Sequence, residues 1–532
     1  MTENNWTTHF LIIIFLCASL CSCTKSNDQG FGILEGTILD SASASPISAR
    51  VYIIGDKDSV FFAEKGISFY IPWMQDRVGH SGRHFNTIGN TFRAKLPTGT
   101  YRIVIEKGKE YRRFSKLITV ETNATQKLNI QLNRWINMNQ RGWYSADHHV
   151  HRNISDIPTL LLSEDLNFAF FQGNWNERKD FLAQTDSILP KTNSAGTLQI
   201  DPSHFLHVAS HEIESEYGAL LYHLINKKDF PLKDLSEHSL ANYFALSNKA
   251  KEGKGFVELD KPIYRFSHLA VLLNNVDFIE LANNHNFDRN YLPEGSINLN
   301  RSLMGNYSDD QKGYTHFVMD LYYNFLNIGK RIIPTAGSAS YPLSNPFGYN
   351  RTYVQMKGEI NTLNYFNALK SGRSFISNGP MIMLSSGNNL MGDTVKTSES
   401  SLPIRCAIHY TYPLEDVEII FNGEVIKQFK DVKLEGDSTI FNIDIPITKS
   451  GWIAARCFHK IDQKSIRFGH TSPIFVQYKN QPFIPVKKSI DFLKLINQSL
   501  TLETLYGNKE DKLDVLSKCA EAATILSNMK SE

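Results

Sequence analysis

Gly142-Trp143-Tyr144-Ser145-Ala146-Asp147-His148-His149-Val150-His151 reads as an aromatic strand running into an imidazole-rich tip. Side chains alternate along a strand, so His149 and His151 share a face with Asp147 while His148 points away. Two imidazoles and a carboxylate converging at a strand end are the parts of a first-row metal site. His-x-His pairs also occur in polar loops that hold nothing, so the setting has to decide. Ten of the 17 histidines fall between residues 148 and 285, which concentrates ring nitrogens around this strand.

That setting is α/β. From residue 140 to 375, strand-like stretches alternate with stretches of helical spacing. The strands are Phe168-Ala169-Phe170-Phe171, Phe205 to Ile213, Val276 to Leu281 and Arg331 to Thr335, and the helices Ser239 to Lys251 and Lys312 to Leu326. Such alternation predicts a largely parallel sheet or barrel with its functional residues at strand C-terminal ends. The flanks are β-rich. Residues 31–134 carry short alternating strands, and residues 376–480 return to that pattern, with Asn422-Gly423 as a hairpin signal between two apolar runs. Residues 486–532 have amphipathic helical spacing and read as a helical tail packed on the body.

At 532 residues the chain is long enough for about two to four domains. Its net charge of +2 is nearly balanced and it has no basic tract, so nothing points to nucleic acid. His9 to Leu20 is an apolar run too short to span a bilayer as a helix. It ends in Leu20-Cys21-Ser22-Cys23, which resembles a bacterial lipoprotein signal: residues 1–22 would be removed and Cys23 lipidated. The segment departs from that pattern in having no Lys or Arg before the apolar run. An ordinary cleaved signal peptide is the other reading, and both place the protein outside the cytoplasm; the first anchors it to a bacterial membrane through lipid. Cys406 and Cys457 lie in strand-like stretches and are either paired or buried thiols.

The opening decapeptide resembles the first motif of the PHP (polymerase and histidinol phosphatase) superfamily, and more narrowly the CehA/McbA-type metallohydrolases. Ala209-Ser-His-Glu-Ile-Glu-Ser215, Val276-Asp-Phe-Ile-Glu-Leu-Ala-Asn-Asn-His285, Ile333 to Ser340, Gly348-Tyr-Asn-Arg-Thr-Tyr-Val354 and Gly372 to Pro380 extend the likeness in the same order. Asn90 to Tyr101 is similar to the strand-turn-strand of transthyretin-like, carboxypeptidase-regulatory-like sandwiches, usually modules without chemistry; His80 and His84 are the local candidates against that reading. The resemblance implies a distorted (β/α)7 barrel flanked by two β-sandwiches, with divalent ions at the strand C-termini. It also implies hydrolysis of ester, phosphoester or carbamate-type bonds by metal-activated water. Carried over by position, His149, His151 and Glu212 are metal ligands, with Asp147 the acid before them.

The departures reduce that ligand set. Gly218 is followed by Ala219 where the family has Gly-His, and Gly337-Ser338-Ala339-Ser340-Tyr341 stands where it has Gly-Ser-Asp-x-His. Gln172 to Glu177 likewise lacks an Asp-His pair. A reduced site implies one ion of Zn, Mn or Fe rather than three, because three protein ligands and water suffice for a catalytic zinc-type shell. Compensating groups are His285 and either Asp260 or Glu258; His211 adjoins Glu212 on a strand, so only one of those two enters the site, and His204 and His207 read as structural. Asp147 or His285 is the candidate general base or proton shuttle. Asn174 and Arg351 are the candidate substrate-binding residues, Arg351 being equally suited to fixing its own loop. The expected partner is a small-molecule or oligosaccharide-like substrate. The competing reading is a catalytically inactive, surface-anchored protein of the same fold that binds glycans or nutrients.

Overall fold

The computed structural model describes residues 30–70, 81–176, 178–215, 218–224, 240–286, 307–341, 345–463, 465–505 and 509–531. The signal segment, Cys23 and His80 lie outside them. Strands predominate in a mixed α/β architecture.

The N-terminal part is two sheets face to face. Phe31–Asp40 buries alternate residues and pairs antiparallel with Thr91–Pro97 and parallel with Thr125–Leu132. The second sheet is built on Arg50–Ile54 and Gly99–Glu106, and Leu34, Ile38, Val51, Ile103 and Ile130 meet between the two.

The central part starts at β1 (Trp143–Val150), followed by α1 (Ile157–Glu164), β2 (Phe168–Trp175), α2 (Lys179–Ile188) and β3 (His204–Ser215). After β4 (Gly218–His223) and α3 (Leu240–Glu252) come β5 (Phe256–Leu259), α4 (Ser267–Leu273), β6 (Phe278–Ala282), α5 (Gln311–Asn327) and β7 (Ile333–Ala336). Pairing is parallel from β1 to β2 to β3 and from β5 to β6 to β7. The expected parallel order is broken at several places: β4 runs antiparallel to both β3 and β5, Thr197–Asp201 antiparallel to β3, and Arg351–Gln355 antiparallel to β1. Every residue of β4 is buried, so it shows no alternation from which its direction could be read.

The chain just after β7 returns to the end of β1. Val150 bridges Ser340 in parallel sense, and the His151 amide donates to the Ser340 carbonyl at 3.1 Å. The carboxyl ends of β1, β3, β5, β6 and β7 therefore open on one side. The opposite end is filled by α6 (Thr362–Lys370), whose Tyr365, Phe366 and Leu369 pack on Phe168, Phe170, Phe205 and Phe278.

The C-terminal β-region does not form a detached sandwich. β8 (Arg351–Gln355) pairs with β1, β9 (Ser374–Ser377) with β8, and Ile466–Thr471 with β9, so the central sheet continues into the second one. This continuation, with Leu414–Phe421, Glu424–Val432 and Gly451–Lys460, faces a separate sheet made of Met381–Ser386, Ser401–His409 and Ser438–Pro446. Asn422 and Gly423, both at positive φ, close the predicted hairpin in two residues. Cys406 and Cys457 are buried free thiols in the core between these sheets. Lys487–Gln498 and Lys509–Asn528 form the helical tail, with Leu493, Ile496, Val515 and Ala522 buried in the core shared with α4 and α5. Among the described residues, no helix is long and apolar enough to cross a membrane.

Candidate metal centre

His149 and His151, two apart at the end of β1, reach the same carboxylate on β3. His149 Nε2 lies 3.1 Å and His151 Nε2 2.8 Å from Glu212 Oε2, and the two ring nitrogens are 2.9 Å apart. All three side chains are buried. Alternation along β1 and one carboxylate on the second parallel neighbour are enough to produce this convergence.

Behind it stands a second acidic layer. His149 Nδ1 lies 3.2 Å from Asp260 Oδ1 and 3.6 Å from Glu280 Oε2, so one imidazole faces Glu212 with one nitrogen and two carboxylates with the other. Lys261 pairs with Asp260, with Glu214 at 3.1 Å and with Glu212 Oε1 at 3.5 Å. Gly337, just after β7, is pressed so closely on Glu280 and the His149 Cβ that a methyl group there would collide with both.

Burial opposes charge on His149, yet Asp260, Glu212 and Glu280 together raise its pKa well above the ordinary value. Burial also opposes charge on Glu212, but His149, His151 and Lys261 hold its carboxyl well below the usual range. His151 is pushed down by burial despite Glu212. Glu280 is pushed well up, first by burial and then by Asp260.

The donor set fits a divalent cation. Three ligand atoms from His149, His151 and Glu212 lie within 4.8 Å of one another, and so do three from His149, Asp260 and Glu280. Neither Glu280 oxygen has a hydrogen-bond partner although the residue is fully buried, a costly state for a carboxylate unless a cation or proton offsets it. A histidine ligand commonly turns its remaining nitrogen to a carboxylate that orients the ring, and His149 Nδ1 facing Asp260 has that arrangement.

The other predicted site residues are distributed differently. Asp147 does not face the ligand atoms. Its Oδ1 accepts from the amides of His149 at 3.1 Å and Ser338 at 2.9 Å, and its Oδ2 accepts from the Gly348 amide at 2.9 Å. With both oxygens committed to backbone donors, Asp147 clamps the strand end to the loop after β7, in place of the expected proton transfer.

Arg351 is not a substrate clamp either. The side chain is fully buried and donates to the carbonyls of Gly348 at 2.8 Å, Asp165 at 3.0 Å and Glu164 at 2.6 Å. Arg351→Met should therefore cost about 3 kcal/mol of stability in urea unfolding while the metal content is retained, since bonds to a charged group contribute roughly 1.5–3 kcal/mol each and rarely add in full.

Asn174 is buried on β2 beside Trp175 and opposite His211 on β3, one register step from the Trp175–Glu212 pair. His285 lies just beyond β6, its ring 5.7 Å from that of Tyr314, and is not gathered into the cluster around His149. Burial and then Lys261 push its pKa down to about 4, so the ring is neutral at pH 7. His204 pairs with Asp201 at 2.8 Å and His207 with Thr197 at 3.0 Å, both local structural bonds.

His148 is neither exposed nor in the first cluster. It points inward and joins His223 and Glu258: His148 Nδ1 is 2.8 Å and His223 Nε2 3.0 Å from Glu258 Oε2. The outer nitrogens reach Tyr365 at 2.9 Å and Ser210 at 2.8 Å, and Thr335 donates to Glu258 Oε1 at 2.5 Å. Every polar atom of the triad is satisfied, which marks a structural network. Glu280, Lys261 and His223 escaped the sequence reading. The available cue was a carboxylate alternating with apolar residues in Phe278-Ile279-Glu280-Leu281, where an inward charge demands a partner.

No family model and no curated protein matches the chain. Two solved chains match it. One is the minor pilin GBS52 of Streptococcus agalactiae, at 16% identity over 20% of this chain and 45% of the pilin, with a TM-score of 0.16. The chain thus spans less than half of that pilin, and so slight a likeness carries no argument about fold or function.

Proposed function

We propose that this protein is a metal-dependent hydrolase with a distorted (β/α)7 barrel of PHP type, acting on ester, phosphoester or carbamate-type bonds outside the cytoplasm. The observation that supports it above all is the meeting of His149 Nε2 and His151 Nε2 on Glu212 Oε2 at the carboxyl ends of β1 and β3. His149, His151 and Glu212 would hold one divalent ion of the Zn, Mn or Fe class. Such an ion supplies an activated water and polarises the bond under attack.

The surrounding side chains have separate tasks. Asp260 orients His149 through Nδ1, and Lys261 balances the acidic layer so that the cluster does not repel itself. Asp147 fixes the end of β1 against the Ser338 and Gly348 amides, which keeps both imidazoles aimed at β3. His285, just beyond β6, would be the candidate proton acceptor, a weak one because burial and Lys261 push its pKa down. A lipid on Cys23 would hold the enzyme at a bacterial membrane.

The test is turnover of a panel of carboxylic, phosphomono-, phosphodi- and carbamic esters by protein loaded with Zn, Mn or Fe. At least one class should turn over with a metal dependence that chelation abolishes and His149→Ala removes. Inactivity across the panel, with metal-independent glycan binding, would instead establish the surface-binding reading.

A further inference from the structure

A second charged junction lies apart from the ligand cluster, where three parts of the chain meet. Lys109 comes from the N-terminal sandwich, Tyr349 from the loop before β8, and Arg467 from the C-terminal strand Ile466–Thr471. The Lys109 ammonium lies 4.7 Å and the Arg467 guanidinium carbon 4.6 Å from the centroid of the one Tyr349 ring. The two charges are therefore no more than about 9.3 Å apart, and both are only partly exposed.

Neither cation has a carboxylate of its own among the described residues. The two acids at this junction are already engaged: Glu106 by Arg50 at 2.7 Å and Arg113 at 3.5 Å, and Glu164 by Arg50 at 3.0 Å. Arg467 Nη1 is shielded from solvent and has no hydrogen-bond partner. Burial lowers the Lys109 pKa well below its ordinary value, and Arg467, Arg351 and Arg50 lower it further. Tyr349, Tyr410 and Glu106 support the Arg467 charge, though its Nη1 donor stays unpaired, while Lys109 bears both desolvation and the repulsion of Arg467, Arg351 and Arg50. A bound anion relieves both at once.

We infer that Lys109, Arg467 and Tyr349 form a binding site for a small oxyanion of the phosphate or sulfate class, separate from the metal centre. Arg467 supplies a planar pair of donors suited to an oxyanion and Lys109 a point charge. Arg467 Nη1 would donate to one oxygen of the anion and the Lys109 ammonium to another. Because the donors come from both sandwiches and from the loop joined through Gly348 to Asp147, occupancy would tie the three parts together.

The experiment titrates inorganic phosphate, and separately sulfate, into the full chain at constant ionic strength, read by calorimetry and by melting temperature against chloride. EDTA is present throughout so that the metal centre does not contribute. Saturable binding is expected, with the dissociation constant raised at least tenfold in Lys109→Gln and in Arg467→Met, and unchanged in His149→Ala/His151→Ala. Arg467→Lys, which keeps the charge but not the fork, should lie between. Absence of saturable binding, or equal affinity in wild type and the Lys109 and Arg467 variants, overturns the inference. So does loss of binding in the His149/His151 variant alone, which would move the anion to the metal centre. Failure of the hydrolase assays leaves these outcomes unaltered, so the two readings fail separately.

Discussion

His149→Ala/His151→Ala should abolish stoichiometric metal: content after loading with Zn or Mn and desalting falls from about one ion per chain to less than about a tenth of that. The double change removes both nitrogen donors and leaves only carboxylates, Glu212 and behind it Asp260 and Glu280, an oxygen set paired in part with Lys261 that does not retain a zinc-class ion through desalting. Weakening only the groups behind the ligands costs 10–100-fold in typical sites, so loss of two ligands exceeds that range. The wild-type melting temperature should drop on chelation, since a ligand present at about 1,000 times its dissociation constant stabilises the fold by about 4 kcal/mol. The double variant should melt at one temperature with or without metal. Metal loading should also strengthen with rising pH. Asp260, Glu212 and Glu280 keep a proton on His149 to well above its ordinary pKa, and that proton must leave before the ion can bind. Full metal content in the double variant, with its fold intact by circular dichroism, removes the metal assignment.

The same residues show how far the sequence could be read. Strand alternation alone places His149 and His151 together, whereas Glu212 entered only through the family resemblance, and the fold brings its carboxylate to both imidazoles. Glu280 and Lys261 were not legible, because a charge inside a strand of a buried sheet gains meaning only when the neighbouring strands are known. β4 escaped for a related reason: Ala219-Leu220-Leu221-Tyr222 is buried on both faces, and direction within a sheet leaves no mark on such a run. Asp147 shares a strand face with His149 and His151, which suggests a proton carrier, and the Arg351 guanidinium suits either an anionic substrate group or its own loop. Each is saturated by backbone groups, and backbone partners have no sequence signature.

Asp147 gives the second large effect, and its two substitutions separate a clamp from a proton carrier. Asp147→Ala leaves the amides of His149, Ser338 and Gly348 buried without an acceptor, and should cost about 4 kcal/mol in urea unfolding. Asp147→Asn is nearly isosteric, yet it would turn an NH2 group toward at least one of three donors, so it should still cost about 2 kcal/mol. A residue that only carried a proton would behave in the opposite way, with Asp147→Asn stable and inactive. The loop that Asp147 holds includes Gly337, which is packed against both His149 and Glu280. Slackening that loop should therefore weaken metal binding in both variants, in proportion to the stability lost. Asn with wild-type stability and wild-type metal affinity would show that the three amides do not need the carboxylate, and Asp147 would then lose its role in positioning the centre.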